Sequence, residues 1–258
     1  MLVCENCQHQ QDSGNFCENC GTPLTSDVHN SQEETAATTS AESQNNQMDN
    51  IKYHTKNYLD YVVSLIKNPT MSLNQPKSSF INGIITLVLM AIVLSLGFYL
   101  LINGFYKQTF GGYMGEPSTL PFFSFFFRMA FSLLLIILAG LVALVAVLKI
   151  GKADVSFQEA LAQYGAFSVP FTAVSALTIL TGLATAPQLT LILFFIGFIA
   201  FISLAPVIIS FHHLSQLGEK VQYVYLSIGS FLLTNLIIYI LFRIYLESTL
   251  NQIDQIMY

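Results

Sequence analysis

From about Phe80 to Phe242 the chain is written in long apolar blocks separated by short polar stretches. Five blocks are long enough to cross a bilayer, at roughly 81–104, 126–149, 163–185, 189–211 and 222–243, since about 20 apolar residues in a helix match the hydrocarbon thickness. The third and fourth share one uncharged run from Ala160 to Phe211, too long for a single span. Ala184-Thr185-Ala186-Pro187-Gln188 divides it and predicts a tight hairpin. The pattern predicts an all-α bundle of five transmembrane helices over residues 80–247.

Upstream the pattern changes twice. Ile51, Tyr58, Leu59, Val62, Leu65 and Ile66 fall near one helical face, with Lys52, Lys56, Asp60 and Lys67 largely elsewhere. This predicts an amphipathic helix on a membrane surface, stopped at Pro69 and followed by a connector to residue 79. Residues 25–50 (TSDVHNSQEETAATTSAESQNNQMDN) carry almost no bulky apolar side chains. Such a stretch cannot repay its ordering entropy and predicts a disordered acidic linker, a tether of ~30 Å as a random coil. Residues 248–258 form a short tail.

Composition sharpens the contrast. The chain is 53% hydrophobic and 10% charged, against about 25% charged residues in soluble domains. Residues 1–50 hold eight acidic residues and no Lys or Arg. They also hold all four cysteines, in two copies of CENC: Cys4, Cys7, Cys17 and Cys20. The start lacks the basic, apolar and small-residue regions of a signal peptide, which predicts a cytosolic N-terminus where thiols stay reduced.

Two C-x-x-C knuckles nine residues apart supply four soft ligands for one tetrahedral zinc ion. Gly21 suits the tight backbone after the second knuckle. With only Leu2, Val3, Phe16 and Leu24 as a core, metal binding would carry folding, at an apparent ~10–16 kcal/mol. Two disulfides, a redox C-x-x-C and a catalytic zinc are the rival readings. The cytosolic setting opposes the first, the missing βαβ pattern the second, and the closed four-thiolate shell the third. The expected cofactor is one structural Zn2+ in a ribbon over residues 1–24.

The stretch MLVCENCQHQQDSGNFCENCGTPL resembles the short N-terminal zinc ribbon of many bacterial membrane proteins, through the paired knuckles, Phe16 before Cys17, and Gly21-Thr22-Pro23-Leu24. Nucleic acid is excluded as its partner on charge: polyanion binding needs Lys and Arg to displace counterions, and four thiolates around zinc add a formal −2. A protein surface is the expected partner. Lys67, Lys77, Lys149, Lys152 and Lys220 would lie on the inner side, with Lys107 and Arg243 outside. This predicts a multi-pass protein of the cell membrane with its N-terminus cytoplasmic and its C-terminus extracytoplasmic.

Polar residues within the spans are the remaining candidates. Arg128 and Arg243 sit at the outer ends of the second and fifth spans, placed to snorkel to the interface. Asn235, near the middle of the fifth span, is expected to be buried and to hydrogen-bond between helices. Transport is the other reading of all three. His212-His213 end the fourth span without spacing for a metal site. Ala139, Gly140, Ala143, Gly197, Ala200, Ser227, Gly229 and Ser230 suit close helix packing, and Pro170 and Pro206 interrupt the third and fourth spans.

The five-span layout, Asn68-Pro69 and especially SFQEALAQYGAFSVPF (Ser156–Phe171) resemble the Yip (Ypt-interacting protein) type of membrane domain. The resemblance implies five spans and a cytosolic N-terminus; the small-GTPase partners of the eukaryotic members are not carried over to a zinc-ribbon version. H-E-x-x-H, G-x-S-x-G and the phosphate-binding G-x-x-x-x-G-K-[ST] do not occur, and no enzyme is expected. A non-catalytic scaffold or regulator is the first expectation, and a small-solute or lipid transporter the second. The lipid bilayer and a protein of unknown identity are the expected partners, with homo-oligomerisation left open.

Overall fold

The computed structural model describes residues 2–3, 10–11, 55–110, 119–218 and 222–257. The chain divides into two units, Met1–Tyr53 and His54–Tyr258. In the first, β1 (Leu2–Val3) pairs antiparallel with β2 (Gln10–Gln11), Leu2 opposite Gln11 and Val3 opposite Gln10. The strands stand either side, in sequence, of the first C-x-x-C. Cys4, Cys7, Cys17, Cys20 and the linker 25–50 lie outside the described residues.

All regular secondary structure among the second unit's described residues is helical. The unit opens with α1 (55–67), followed by 3-10 turns at Pro69–Asn74 and Lys77–Ser79. Then come α2 (Phe80–Phe110), α3 (Phe122–Ile150), α4 (Phe157–Leu183), α5 (Pro187–Phe194), a π-helical turn (Phe195–Ile199), α6 (Ala200–Ser215) and α7 (Tyr223–Met257). The α5–π–α6 run is continuous, so five helical rods are long and apolar enough to cross a membrane. The shortest such segment has 25 residues, about 38 Å at 1.5 Å per residue, against a hydrocarbon core of about 30 Å.

Local chemistry sets the ends. Ser156 accepts a hydrogen bond from the Glu159 backbone N–H at 3.3 Å and caps α4; Ser-x-x-Glu is the spacing of a capping box. The helix therefore begins at Phe157, six residues before the expected span. The hairpin at 184–186 closes with Thr185 N–H on Gly182 O (3.1 Å) and Ala186 N–H on Thr181 O (3.0 Å), the paired bonds of a Schellman end. Thr185 takes the left-handed position (φ 50), and Pro187 starts the next helix. At the far end, α7 continues through the segment expected as a tail to Met257.

The bundle is built around the α2–α4 pair. An added Cβ on Gly165 would overlap the backbone of Gly83, and one on Gly182 would overlap the Gly97 carbonyl. Bare backbone at both places lets the two helices run side by side, in parallel. Thr185 then covers Gly104 at the end of the seam. On the other side α3 packs against α2, α6 and α7, and α7 touches α3 and α6. The central cluster includes Met90, Leu94, Ile137, Leu144, Tyr164, Phe201 and Ile209, all essentially inaccessible.

The outside is as apolar as the inside. Ile84 and Val88 on α2, Phe127 and Val142 on α3, Leu180 on α4, Phe195 and Leu232 on the later helices are exposed. Patches of this extent mark a surface that is not meant for water. Buried polar groups are mostly Ser and Thr bonded to their own helix one turn back, such as Ser95 to Ala91 O and Thr172 to Ser168 O.

Candidate functional site

Two places on the bundle gather polar chemistry among apolar walls. Their positions follow from the helix ends: the proximal end carries α1 and the α3–α4 connection, and the distal end carries the α2–α3 and α4–α5 connections.

The proximal site is built on the first three turns of α4, within Ser156–Phe171. The Gln163 side chain is buried, and its Oε1 lies 2.6 Å from His213 Nε2 on α6. The neighbouring Tyr164 is fully buried and donates to Ile137 O of α3 at 3.3 Å. Gly140 leaves the room its hydroxyl needs. Gly165 meets α2, while Ala166 and Val169 form a small core with Leu65 of α1. One short segment thus touches α1, α2, α3 and α6. Sequence reasoning passed over Gln163; the signal was its place one turn beyond Glu159, on a stretch otherwise fit for burial.

The amphipathic helix α1 is seated on this segment. Leu65 is completely buried, Tyr61 and Val62 flank it, and the Tyr58 hydroxyl lies 3.0 Å from Thr86 Oγ1 of α2. Leu59, Val63 and Ile66 remain exposed on an adjoining face. The helix therefore has two apolar faces where one was expected, the inner one committed to its own bundle. Tyr61 Oη is buried without a hydrogen-bond partner among the described residues. Burial, and secondarily the nearby Tyr58, push its ionisation well above the ordinary tyrosine value.

The distal site is a cleft of about 500 Å3 between the start of α3 and the later turns of α7. Phe125, Arg128, Met129 and Ser132 line it on α3, and Leu241, Phe242 and Tyr245 on α7. Its rim is fixed from α2: Tyr99 donates to Leu120 O at 3.2 Å, and Leu120 N–H donates to Asn103 Oδ1 at 3.1 Å. The Tyr99 ring meets Phe122 edge-on, centroids 4.8 Å apart.

The three span residues singled out by sequence part company here. Arg128 lies in the cleft wall and forms no ion pair among the described residues. Arg243 is exposed and paired with Glu247 one turn on, Nε to Oε1 2.9 Å. Asn235 corrects the expectation of a buried interhelical contact. It is exposed, and its Nδ2 donates to Phe231 O of its own helix at 2.8 Å. The reason is angular: the face of α7 turned inward carries Ser227, Ser230 and Thr234, and Asn235 is one residue off it. The polar contact to a neighbouring helix is made by Ser230, whose hydroxyl lies 3.4 Å from that of Ser210 on α6. Among the described residues no three His, Cys, Asp or Glu side chains gather as a metal site.

Five long apolar helices, an apolar exterior and Ser/Thr-lined helix contacts fit a multi-pass membrane protein. More narrowly, the chain belongs to the family described as "Domain of unknown function (DUF6574)", matched over residues 48–253. The matched region takes in α1 as well as the bundle. The chain is also 28% identical over 258 residues to "Uncharacterized protein YvbI" of Bacillus subtilis (strain 168), covering 99% of each chain. No solved structure matches it.

Proposed function

We propose that this protein is a non-catalytic scaffold or regulator of the cell membrane, whose cytosolic zinc ribbon docks a protein partner. The observation that carries the reading is the seating of α1. The N-terminal segment joins the bundle through a helix buried at Leu65 and hydrogen-bonded at Tyr58. An element committed to its own bundle in this way suits a module that must be presented from a fixed point at the membrane.

The remaining parts agree with that reading. Cys4, Cys7, Cys17 and Cys20 offer four thiolates, a donor set that closes the shell of a structural zinc ion. Pairing of Leu2–Val3 with Gln10–Gln11 around the first knuckle suits a ribbon. The proximal end collects Lys67, Lys77, Lys149 and Lys152, the bias of a cytosolic face, which would leave the end of α7 extracytoplasmic. We also carry the Yip-like reading of the bundle, because Ser156–Phe171 is the segment on which α1, α2, α3 and α6 converge. A lipid or small-solute transporter is the second reading, and the cleft beside Arg128 is the observation that favours it.

The test is photo-crosslinking in cells from Gln8 and Thr22, in the full chain and in a Cys17→Ser, Cys20→Ser double variant at matched expression. A discrete partner, absent from the variant, is the expected result. Crosslinks confined to the protein's own bundle would sink the docking role.

A further inference from the structure

We infer that the cleft between α3 and α7 is a binding site for one anionic phospholipid, its phosphate held by Arg128 and an acyl chain lying between the two helices. The inference goes beyond the scaffold reading and needs only the membrane setting of the bundle.

The first ground is charge. Arg128 stands six residues into α3, about 9 Å along the axis from its start, behind the Phe122–Phe127 cluster. Tyr99, whose ring meets Phe122, and Tyr245 in the cleft wall are of the kind that sits at headgroup level, and an arginine side chain reaches that level from deeper in the span. Its guanidinium has no carboxylate partner among the described residues, whereas Arg243 has Glu247. The side chain is exposed in the cleft wall, so the guanidinium is open to an anion at the interface. A phosphate satisfies it with two parallel charge-assisted hydrogen bonds. Ser124 and Ser132, one turn to either side of Arg128, line the same cleft.

The second ground is shape. The cleft holds about 500 Å3, within the roughly 300–1,000 Å3 of ligand pockets. Below Arg128 the walls turn apolar, with Leu135 and Ile136 facing Ile238 and Leu241. That is the order of a lipid: charge at the interface, hydrocarbon beneath. The rim is set beforehand by the Tyr99 and Asn103 bonds to Leu120, so little ordering is paid on binding.

The experiment is native mass spectrometry of the full chain in detergent, titrated with phosphatidylglycerol and with phosphatidylcholine of identical chains. Variants are first matched for monodispersity. Phosphatidylglycerol should be retained in preference. Arg128→Gln should weaken it at least about ten-fold, the effect of losing a charge-assisted pair. Arg128→Lys, which keeps the charge but loses the fork, should still prefer phosphatidylglycerol while binding it more weakly than the native chain. Arg243→Gln should change nothing, and Ser132→Phe, which fills the cleft, should weaken both lipids. Equal retention of the two lipids by the native chain would overturn the site. So would unchanged binding in Arg128→Gln or Ser132→Phe, binding of inorganic phosphate without lipid, or a lipid-free dimer that Ser132→Phe dissociates. If Arg128→Gln does not fold, Arg128→Lys and Ser132→Phe decide.

Discussion

Gly83 and Gly165 meet where no side chain has room, and the position of one methyl group decides how α2 and α4 pack. In Gly165→Ala the new Cβ would collide with the Gly83 backbone, which has no rotamer to yield. Overpacking of this kind costs about 1–3 kcal/mol. Gly229→Ala is the matched control, since nothing lies within 4 Å of its added Cβ. A clear fall in Tm in detergent for the first and almost no change for the second is the expected pair; equal effects would mean that the α2–α4 seam is not the tight contact. At this scale the sequence was only partly legible. Ser227 and Ser230 could be read as packing residues, and they are. Asn235 could not be placed, because 100° of helix rotation separates it from its neighbour Thr234 and hydropathy is blind to that angle.

Element boundaries were legible where a cap wrote them and obscure where polarity misled. The five spans follow from apolar run length. The start of α4 does not, because Gln158, Glu159 and Gln163 lower the local hydropathy while the Ser156–Glu159 cap extends the helix over them. The π-turn at Phe195–Ile199 left no mark that run length could show. It sits against Ser175, whose buried hydroxyl has no partner among the described residues and crowds the space over Gly197. In α1 periodicity gave the amphipathic character but not the choice between membrane and bundle, because an apolar face fits either. Tyr61 tests that docking. Its hydroxyl is buried and has no partner among the described residues, a cost of about 1–3 kcal/mol for such a group. Tyr61→Phe should therefore hold or raise the Tm of the purified protein. A marked fall would show that the hydroxyl has a hydrogen-bond partner outside the described residues.

Across the whole molecule the two units answer to different chemistry. The bundle is held by packing, and the cysteine segment is expected to be held by metal. Elemental analysis should find one zinc per chain, lost in the Cys17→Ser, Cys20→Ser variant. Because the chain divides at Tyr53, that loss should leave the Tm of the bundle unchanged; a coupled fall would refute independent units. The four cysteines lie outside the described residues, so their spacing stands as an expectation, and a docking surface has no spacing rule at all. The distal cleft also escaped the sequence. Its walls come from helices about a hundred residues apart, and only Arg128 hinted at it.

The partnership of α2 with α4 also imposes a timetable on biosynthesis. The first span enters the bilayer with Gly83, Gly97 and Gly104 facing no mate, and about 73 residues separate the end of α2 from the end of α4. At roughly 5–20 residues per second, the ribosome needs about 4–15 s to deliver them. Throughout that interval the nascent chain carries an open seam, and α3 must cross the membrane before the seam can close. An insertase that shelters the first span until the third arrives would therefore set the yield of the finished protein, even though it leaves no trace in the final contacts.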